Sequence, residues 1–443
     1  MPLTPSADTA PGDSASGGGT SGTPADDSVE VLTIPDFKRL WTANAFRYAA
    51  AEVASFALPV TALLLLDASP LTMSLIFVCS RAGFLLVGLP AGVWIDRWRK
   101  KPVLIWADVA YMVAFGSVPA AYFLDVLTLT QLFVVALAVS LAAVFFDVAH
   151  NSVLPYVLPR RRVSDGNARL QSSETAIQAV SPSVAGVVTQ HVAAPLLYCF
   201  AAVGHLASLL VLRRIHPEND IARGRGGDKT GSRFRHEIAD GVRVLLRQPL
   251  LRLLLSQAAL NNVGAGIILS MLPVFLLKEI GVPTWLYGLL TTLGALAGFT
   301  ASLFAPRLRR RFGEIRMTLV FSALAPFAVL AAPLAGVFRE AAVPLIALAQ
   351  VLIGVAIVGR AVSTAGLRAR VTPDQYLGRV TAAYSVAIQG ATPLGALIGG
   401  LIAGLWSTSA ALWAGAVAMA VPLVLLLLSP LRRHRRLPAE WEV

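Results

Sequence analysis

Long apolar runs separated by short basic segments constrain the fold of this chain more than any other feature. Twelve runs can be drawn, each about 20 residues long, the length that an α-helix needs to cross the hydrocarbon core of a bilayer. Helices are expected because a segment in lipid must satisfy its own backbone hydrogen bonds, and the runs are too long and too continuously apolar for barrel strands. The expected spans are 41–66, 72–94, 103–123, 128–148, 168–190, 195–212, 250–277, 285–304, 317–335, 341–360, 380–405 and 409–428.

The composition excludes an ordinary soluble enzyme, because 56% of the residues are hydrophobic and only 14% are charged. The net charge of +12 could indicate a nucleic-acid partner, but the basic residues fall between the apolar runs, so no such partner is expected. The two cysteines, Cys79 and Cys199, both lie inside apolar runs. We therefore expect neither a disulfide framework nor a metal site, and no cofactor.

Basic residues occupy every second loop, and Lys278 and Arg339 are the clear exceptions. The basic segments lie around Lys38 and at 97–101, 160–162, 213–252, 307–316, 368–379 and 432–436. Because basic loops stay in the cytoplasm, both termini and the central segment are expected there. The Ala- and Arg-rich composition is typical of bacteria with GC-rich genomes, so we expect a multi-pass protein of the bacterial plasma (inner) membrane.

The two parts of the chain repeat each other. The tripeptide Leu-Pro-Val at 58–60 recurs at 272–274, and Ala-Ile-Gln-Ala-Val-Ser-Pro at 176–182 is similar to Ala-Ile-Gln-Gly-Ala-Thr-Pro at 387–393. Such a parallel repeat is typical of transporters whose halves are related by an axis along the membrane normal, and a membrane enzyme has no need of it. The expected fold is an all-α membrane protein with twelve transmembrane helices in two six-helix halves related by a pseudo-twofold axis.

The segments between and around the halves differ in composition from the spans. We expect a disordered cytoplasmic tail at 1–35, an N-terminal six-helix bundle at 36–212, a cytoplasmic linker with an amphipathic helix at 213–249, a C-terminal six-helix bundle at 250–428 and a basic cytoplasmic tail at 429–443. The amphipathic helix, at 234–247, either lies on the membrane surface or simply connects the halves.

The loop after the second span carries the most specific pattern. It places Gly92 four residues before Asp96-Arg97 and ends in Lys100-Lys101. This arrangement resembles motif A of the major facilitator superfamily, in which Gly usually stands at the position of Arg99. The resemblance implies the major facilitator fold and a charge network that latches the two halves together in the outward-open state.

The latch assigns roles to individual residues. Gly92 is expected to let two helix ends approach closely, and Asp96, Arg97, Lys100 and Lys101 supply the charges. Asp147, at the cytoplasmic end of span four, is the candidate partner, although it can equally be a solvent-facing cap. Asp108 in span three is also expected to reach the basic residues.

Residues 36–430 resemble, within that superfamily, the twelve-span drug–proton antiporters that include macrolide and enterobactin exporters. The resemblance rests on Leu-Pro-Tyr-Val-Leu-Pro at 154–159, Leu-Leu-Arg-Gln-Pro-Leu-Leu-Arg at 245–252 and Leu-Gly-Arg-Val at 377–380. The exporter signature of the family, motif C, is matched in span five by Ser181, Pro182 and Gly186. These residues favour efflux, and the alternative is that they merely permit close helix packing.

Ionisable residues inside the spans are candidates for function, because charge in hydrocarbon is costly. Glu52 and Glu174 are our candidates for a proton-carrying carboxylate, and Arg81 and Arg47 are further candidates for proton coupling. Glu52 and Arg81 should face each other on adjacent helices, so a permanent salt bridge is the alternative for this pair. A carboxylate that carries the coupled proton should lose gradient-driven transport when it is changed to Gln.

Polar residues elsewhere in the spans are candidates for the substrate cavity. They are Gln178, His205, Asn261, Asn262, Tyr384 and Gln389. For His205 the alternative is a hydrogen-bonded interior histidine. The second half is nearly free of mid-membrane charge, which favours an amphiphilic or hydrophobic substrate over a sugar.

These features favour a secondary active transporter that exports a drug-like or siderophore-like molecule by alternating access in exchange for protons, a function typical of multidrug resistance. The alternatives are an uptake or facilitative carrier for a small nutrient, and a transporter-like sensor without flux. The sequence shows no nucleophile elbow, paired catalytic carboxylates or phosphate loop, so neither an enzyme nor an ATP-driven pump is expected. The expected partners are the lipid bilayer, the substrate and protons, and we expect a monomer.

Overall fold

The computed structural model describes residues 31–215 and 242–429, and these residues form helices and turns without a β-strand. Residues 1–30 of the tail expected at 1–35, and most of the expected linker and C-terminal tail, lie outside the described residues. Of the remaining tail residues, Val31–Thr33 form a single helical turn and Pro35 begins the first long helix. Of the helix expected at 234–247, only 242–247 is described, and it is helical. The long helices are α1 (Pro35–Val60), α2 (Pro70–Arg97), α3 (Lys100–Phe123), α4 (Leu129–Val157), α5 (Val163–Val188), α6 (Leu197–Arg213), α7 (Pro249–Val274), α8 (Thr284–Phe312), α9 (Glu314–Val337), α10 (Ala342–Arg370), α11 (Leu377–Leu405) and α12 (Thr408–Leu428).

Eleven of these helices are long and apolar enough to cross a membrane. The exception is α5, which is as long as the others but carries the polar run Gln-Ser-Ser-Glu at 171–174. The prediction of a helical membrane fold is confirmed, and the count of twelve spans stays a prediction.

Several helices extend beyond the spans drawn from hydropathy. The helix α4 continues to Val157 rather than ending at 148, and α10 continues to Arg370 rather than ending at 360. Hydropathy reports where a helix leaves the hydrocarbon, whereas the helix itself ends where its backbone hydrogen bonds end. The basic and polar turns at these ends therefore extend the helices past the apolar runs.

We name the helices by their order along the chain, as an N-terminal and a C-terminal helix group. In the N-terminal helix group (α1–α6), α1 packs against α5 and α6, α3 against α4 and α6, and α2 against α4. In the C-terminal helix group (α7–α12), α7 packs against α11 and α12, α8 against α10, and α9 against α10 and α12. The two groups meet along two seams, α5 with α8 and α2 with α11.

The first helix of each group ends in the same way. A single π-helical turn follows α1 at Thr61–Leu65 and follows α7 at Phe275–Ile280. Each turn is closed by a residue in the left-handed region, Asp67 with φ 49° and Gly281 with φ 75°. Aspartate tolerates this conformation better than most residues because its short polar side chain bonds locally, and glycine has no Cβ to clash.

Candidate functional site

The two helix groups are joined at one end of the molecule, which we call the closed end and define by Asp67, Thr189, Lys278 and Thr284. There the Lys278 ammonium contacts the Asp67 carboxylate, and the Thr189 hydroxyl donates to the Thr284 hydroxyl at 2.8 Å. One turn deeper, the rings of Phe56 and Tyr287 stack with centroids 5.4 Å apart. These contacts would have to break for a pathway to open at this end.

The motif C-like segment lies in the α5–α8 seam of the closed end. A Cβ added at Gly186 would lie 2.8 Å from the carbonyl oxygen of Thr284, and one added at Gly288 would overlap the carbonyl of Pro182. The hydroxyl of Ser183 donates to Thr292 at 2.7 Å across the same seam. Ser181 in this segment is buried. The structure thus gives this segment a packing role, which was the alternative interpretation of motif C.

The opposite end of the molecule carries the motif A-like loop. Among the residues that the structure describes, no atom lies within 4 Å of a Cβ added at Gly92, so the described part of the chain shows no close approach of helix ends at this glycine. The reason is that the observed contacts between the groups lie toward the closed end. Lys100 begins α3, and the side chains of Asp96 and Arg97 lie outside what the structure describes. The latch therefore stays a prediction.

Lys101 has a role inside the N-terminal helix group. Its ammonium donates to the backbone carbonyls of Arg213 at 3.0 Å and Ile215 at 2.6 Å. The last carbonyls of an α-helix have no partners within the helix and attract cations. Lys101 therefore fixes the end of α6 against the start of α3.

Arg47 occupies the centre of a polar network between α1 and α4. Its guanidinium lies 3.6 Å from the Asp147 carboxylate and 4.1 Å above the ring of Phe146. Arg47 is 9% exposed, whereas Asp147 is 60% exposed, so one end of the network is buried and the other reaches the surface. The described ion pair of Asp147 thus lies within the N-terminal helix group.

Asn44 connects this network to α5. Its amide nitrogen donates to Glu174 at 2.8 Å, and its amide oxygen accepts from Arg47 at 3.4 Å. Two of the four expected coupling residues, Arg47 and Glu174, are thus joined through one intermediate side chain. The sequence analysis missed Asn44, although its spacing of three from Arg47 places both on one face of α1.

Glu52 belongs to a second polar group formed by α1, α2 and α5. Its carboxylate interacts with the side chains of Tyr48 and Gln178 and electrostatically with Arg81. Glu52 is half-buried, whereas Gln178 and Arg81 are exposed. Glu52 and Arg81 are close enough to interact electrostatically, and both the salt bridge and the proton-carrying role stay predictions. The exposure of Gln178 and Arg81 places this group at the edge of an open surface rather than in the packed core.

His205 is fully buried between α3 and α6 rather than on an open surface. Its Nδ1 lies 2.9 Å from a carboxylate oxygen of Asp108, whose other oxygen accepts from Ser208 at 2.7 Å. The imidazole also stacks on the ring of Tyr111 at 4.3 Å. The interpretation of His205 as an interior, hydrogen-bonded histidine describes this site. The expectation that Asp108 reaches the motif A bases is wrong, because its carboxylate points to α6.

His150 is a buried residue that the sequence analysis did not single out. It lies one turn after Asp147 on α4 and stacks on the ring of Phe146 at 5.7 Å. Within the described part of the chain, neither ring nitrogen has a hydrogen-bond partner. Buried polar groups are normally hydrogen-bonded, so His150 is an exception within this part of the N-terminal helix group.

The polar candidates of the C-terminal helix group divide by exposure. Asn261 and Tyr384 are buried, and the Arg368 guanidinium lies 4.3 Å above the Tyr384 ring. Asn262 is half-buried and accepts from Thr392 at 3.2 Å, and Gln389 is exposed. Only Asn262 and Gln389 are therefore accessible in this conformation. Among residues 31–215 and 242–429, no group of three or more His, Cys, Asp and Glu side chains could hold a metal ion.

Comparisons with known proteins agree on one family. The family model of the Major Facilitator Superfamily matches residues 40–359. An uncharacterized MFS-type transporter, y4rN, of Sinorhizobium fredii (strain NBRC 101917 / NGR234) is 26% identical over 332 residues, which cover 74% of this chain and 76% of the relative.

Solved structures show the same fold at low sequence identity. A bacterial homologue of the iron transporter ferroportin, in an inward-facing state, superposes with a TM-score of 0.73 at 18% identity, covering 90% of this chain and 99% of the homologue. A mutant of the nucleoside transporter NupG superposes with a TM-score of 0.71 at 11% identity, covering 88% of this chain and 99% of that structure.

Proposed function

Because the chain belongs to the Major Facilitator Superfamily, we propose that this multi-pass membrane transporter exports a drug-like or siderophore-like molecule in exchange for protons. The observation that carries the proposal is the placement of Glu52. This half-buried carboxylate interacts with Gln178 and Arg81, whose side chains are exposed, whereas the charged groups of a purely structural network would be sealed in the core. A carboxylate at such a place can bind and release a proton from water.

The closed end supports alternating access between two six-helix halves. In this proposal the basic loops lie in the cytoplasm and the closed end lies outside the cell, so this conformation loads cargo from the cytoplasm. The contacts of Lys278 with Asp67 and of Gly186 with Thr284 are then the ones exchanged for the motif A latch when the transporter turns outward. This assignment keeps both termini in the cytoplasm and the protein in the bacterial plasma membrane.

In this mechanism the N-terminal helix group binds protons and cargo in alternation. Glu52 or Glu174 takes up a proton from the outside in the outward-facing state and releases it to the cytoplasm in the inward-facing state. Glu174 is tied to Arg47 through Asn44, so its protonation would loosen the α1–α5 contact. Glu52 touches α5 through Gln178. Both carboxylates thus couple protonation to the helix that forms the α5–α8 seam.

The cargo class follows from the contrast between the two helix groups. The N-terminal group offers Glu52, Arg81 and Gln178, whereas the accessible candidates of the C-terminal group are Asn262 and Gln389. A cavity with charge on one side and mostly apolar groups on the other fits an amphiphilic molecule. An uptake or facilitative carrier is the alternative, and iron and nucleosides, which the names of the structural neighbours indicate, are cargoes to test beside dyes.

Transport in everted membrane vesicles tests the proposal. An exporter should accumulate a fluorescent amphiphilic dye in the vesicle lumen when the lumen is acidic, and an uncoupler should abolish the accumulation. The Glu52→Gln or Glu174→Gln variant should lose gradient-driven transport and keep dye binding. Glu340→Gln, which removes an exposed carboxylate outside both polar groups, is the matched control and should transport normally.

Three outcomes would count against this function. Equal transport with and without a pH gradient would indicate a facilitative carrier. Movement of cargo out of everted vesicles would indicate uptake. Loss of dye binding in Glu52→Gln would make Glu52 a cargo ligand rather than a proton carrier.

A further inference from the structure

A cavity of about 450 Å³ lies where α8, α9 and α10 meet, at the opposite end of the molecule from the closed end. It is lined by Arg309, Arg310, Gly313, Glu314 and Arg370. This volume falls in the range of small-molecule sites and exceeds that of a single phosphate group. The cavity is therefore large enough for an anion together with part of the molecule that carries it.

The lining carries an excess of positive charge. Three of its side chains are guanidinium groups, and Glu314 supplies the one carboxylate among them. Arg370 contacts that carboxylate at 3.3 Å, and Glu314 is 15% exposed whereas Arg370 is 45% exposed. The described lining residues therefore carry a net positive charge, which is complementary to an anion.

The backbone explains why these side chains converge. Gly313 has φ 82°, a left-handed conformation, and it turns the chain directly from α8 into α9. A Cβ added at Gly366 on α10 would lie 3.4 Å from an Arg309 guanidinium nitrogen and 3.5 Å from a Glu314 carboxylate oxygen. The missing side chain of Gly366 leaves the space into which both groups reach.

The corresponding loop of the N-terminal helix group uses its basic residues differently. There the Lys101 ammonium is bound by the carbonyls at the end of α6 and serves to fix that helix. Around Gly313, by contrast, arginines from α8 and α10 face a shared open volume. Arginine is also the side chain whose planar fork of donors matches phosphate oxygens in a bidentate manner.

We propose that this cavity binds a phosphate-bearing anion through Arg309, Arg310 and Arg370. The cavity adjoins the end of a helix whose apolar part spans Thr284–Ala305, so it lies at the boundary between hydrocarbon and water. The anion can come from the headgroup of an acidic phospholipid or from free phosphate in solution. The proposal does not depend on the cargo or on the direction of transport.

The test uses the full-length purified protein and two probes. One probe is inorganic phosphate, titrated at constant ionic strength while the thermal unfolding temperature is measured. The other is phosphatidylglycerol in nanodiscs that otherwise contain phosphatidylcholine, with retained lipid counted by native mass spectrometry. The Arg309→Gln/Arg310→Gln double variant should weaken binding roughly tenfold or more, because two charge-assisted contacts are lost.

Two further variants distinguish anion binding at this cavity from nonspecific binding to surface charge. Arg316→Gln removes an exposed arginine of the same segment that does not line the cavity, and it should bind like the wild type. Glu314→Gln removes the carboxylate that competes with the anion, so it should tighten binding. A variant that merely misfolds would not do so.

Each outcome of these measurements either supports the proposed anion site or overturns it. Retention of phosphatidylglycerol without an effect of phosphate supports the proposal with the lipid headgroup as the source of the anion. An effect of phosphate without lipid retention supports it with a free anion as the source. Absence of both effects in the wild type, or equal losses in Arg316→Gln and in the double variant, would overturn it.

Discussion

Asp67 and Lys278 form an ion pair that joins the two helix groups across the closed end of the protein. Lys278 lies in the π-helical turn after α7, and its ammonium also donates to the carbonyl of Ala68 at 3.0 Å. This pair explains why Lys278 departs from the alternation of basic and uncharged loops in the sequence. Its positive charge is held by a carboxylate of the other group and does not report the side of the membrane.

Removing the charge of Asp67 should shift the conformational equilibrium away from the closed end. Asn tolerates the left-handed backbone at this position, so Asp67→Asn removes the charge without adding strain. Exposed ion pairs are weak, and we expect the ratio of closed to open molecules to fall by about two- to fivefold. Pulsed electron-spin distances between labels on Thr130 of α4 and Glu340 after α9, both exposed and outside the closed-end contacts, measure this ratio.

Asp125→Asn is the matched control for that experiment. Asp125 also has a left-handed backbone, with φ 57°, and lies in the exposed turn after α3. Its substitution should leave the label distances unchanged. Equal shifts in the two variants would show that the Asp67 carboxylate has no specific role in closure.

The same ion pair gives the closed end a defined dependence on pH. Hydrogen bonding and the charge of Lys278 hold the pKa of the Asp67 carboxyl below its usual range. A group with a lowered pKa stabilises its conformation above the usual carboxyl pKa of about 4 and loses that effect as the pH falls through the lowered value. The closed fraction should therefore be flat from neutral pH to about pH 5 and decrease below it, with a smaller amplitude in high salt. Asp67→Asn should lack this acid transition.

Adding one methyl group to the α5–α8 seam should lower the stability of the protein and its transport rate. In Gly288→Ala the new Cβ would overlap the carbonyl of Pro182, so the seam must widen or the helices must shift. We expect a loss of stability of about 1–3 kcal/mol and reduced transport, measured by thermal unfolding in detergent and by the vesicle assay. Gly116→Ala on α3 makes the same change where no atom lies within 4 Å, and it should be neutral or slightly stabilising.

The buried contact between α3 and α6 should contribute to stability rather than to transport. Asp108→Asn leaves His205 and Ser208 without their carboxylate partner, and loss of a hydrogen-bond partner by a buried polar group costs about 1–3 kcal/mol. The double variant Asp108→Asn/His205→Gln should lose less than the sum of the two single losses, because both remove the same contact. Additive losses, measured as unfolding free energies, would show that the two residues act separately.

The sequence predicted the height of each charged residue in the membrane better than the direction in which it points. Counting residues along the spans placed Glu52 and Arg81 at one level on neighbouring helices, and they do interact. The same counting failed for Asp108, because depth does not say which face of α3 carries the side chain. Asn44 and His150 were missed because their importance depends on neighbours from α4 and α5, which only tertiary packing supplies.

The internal repeat could be predicted from the sequence because it reflects the course of the backbone rather than side-chain chemistry. The amide of Ala68 bonds to the carbonyl of Ala62 at 2.8 Å, and the amide of Val282 bonds to that of Leu276 at 2.9 Å. The two hydrogen bonds are separated along the chain by the same number of residues as the two Leu-Pro-Val tripeptides. The helix ends were predicted less well, because hydropathy does not detect helical turns that continue beyond the hydrocarbon into water.

The α5–α8 seam at Gly186 and Gly288 also has a kinetic consequence. Its backbones touch directly, and dispersion attraction weakens by a quarter to a half once a gap of only about 0.5–1 Å appears. A large part of the work of separating α5 from α8, about a quarter to a half, is therefore done in the first ångström of movement. A partly separated seam has lost much of its attraction without gaining water, so such an arrangement should be short-lived, and single molecules should pass between conformations in abrupt steps.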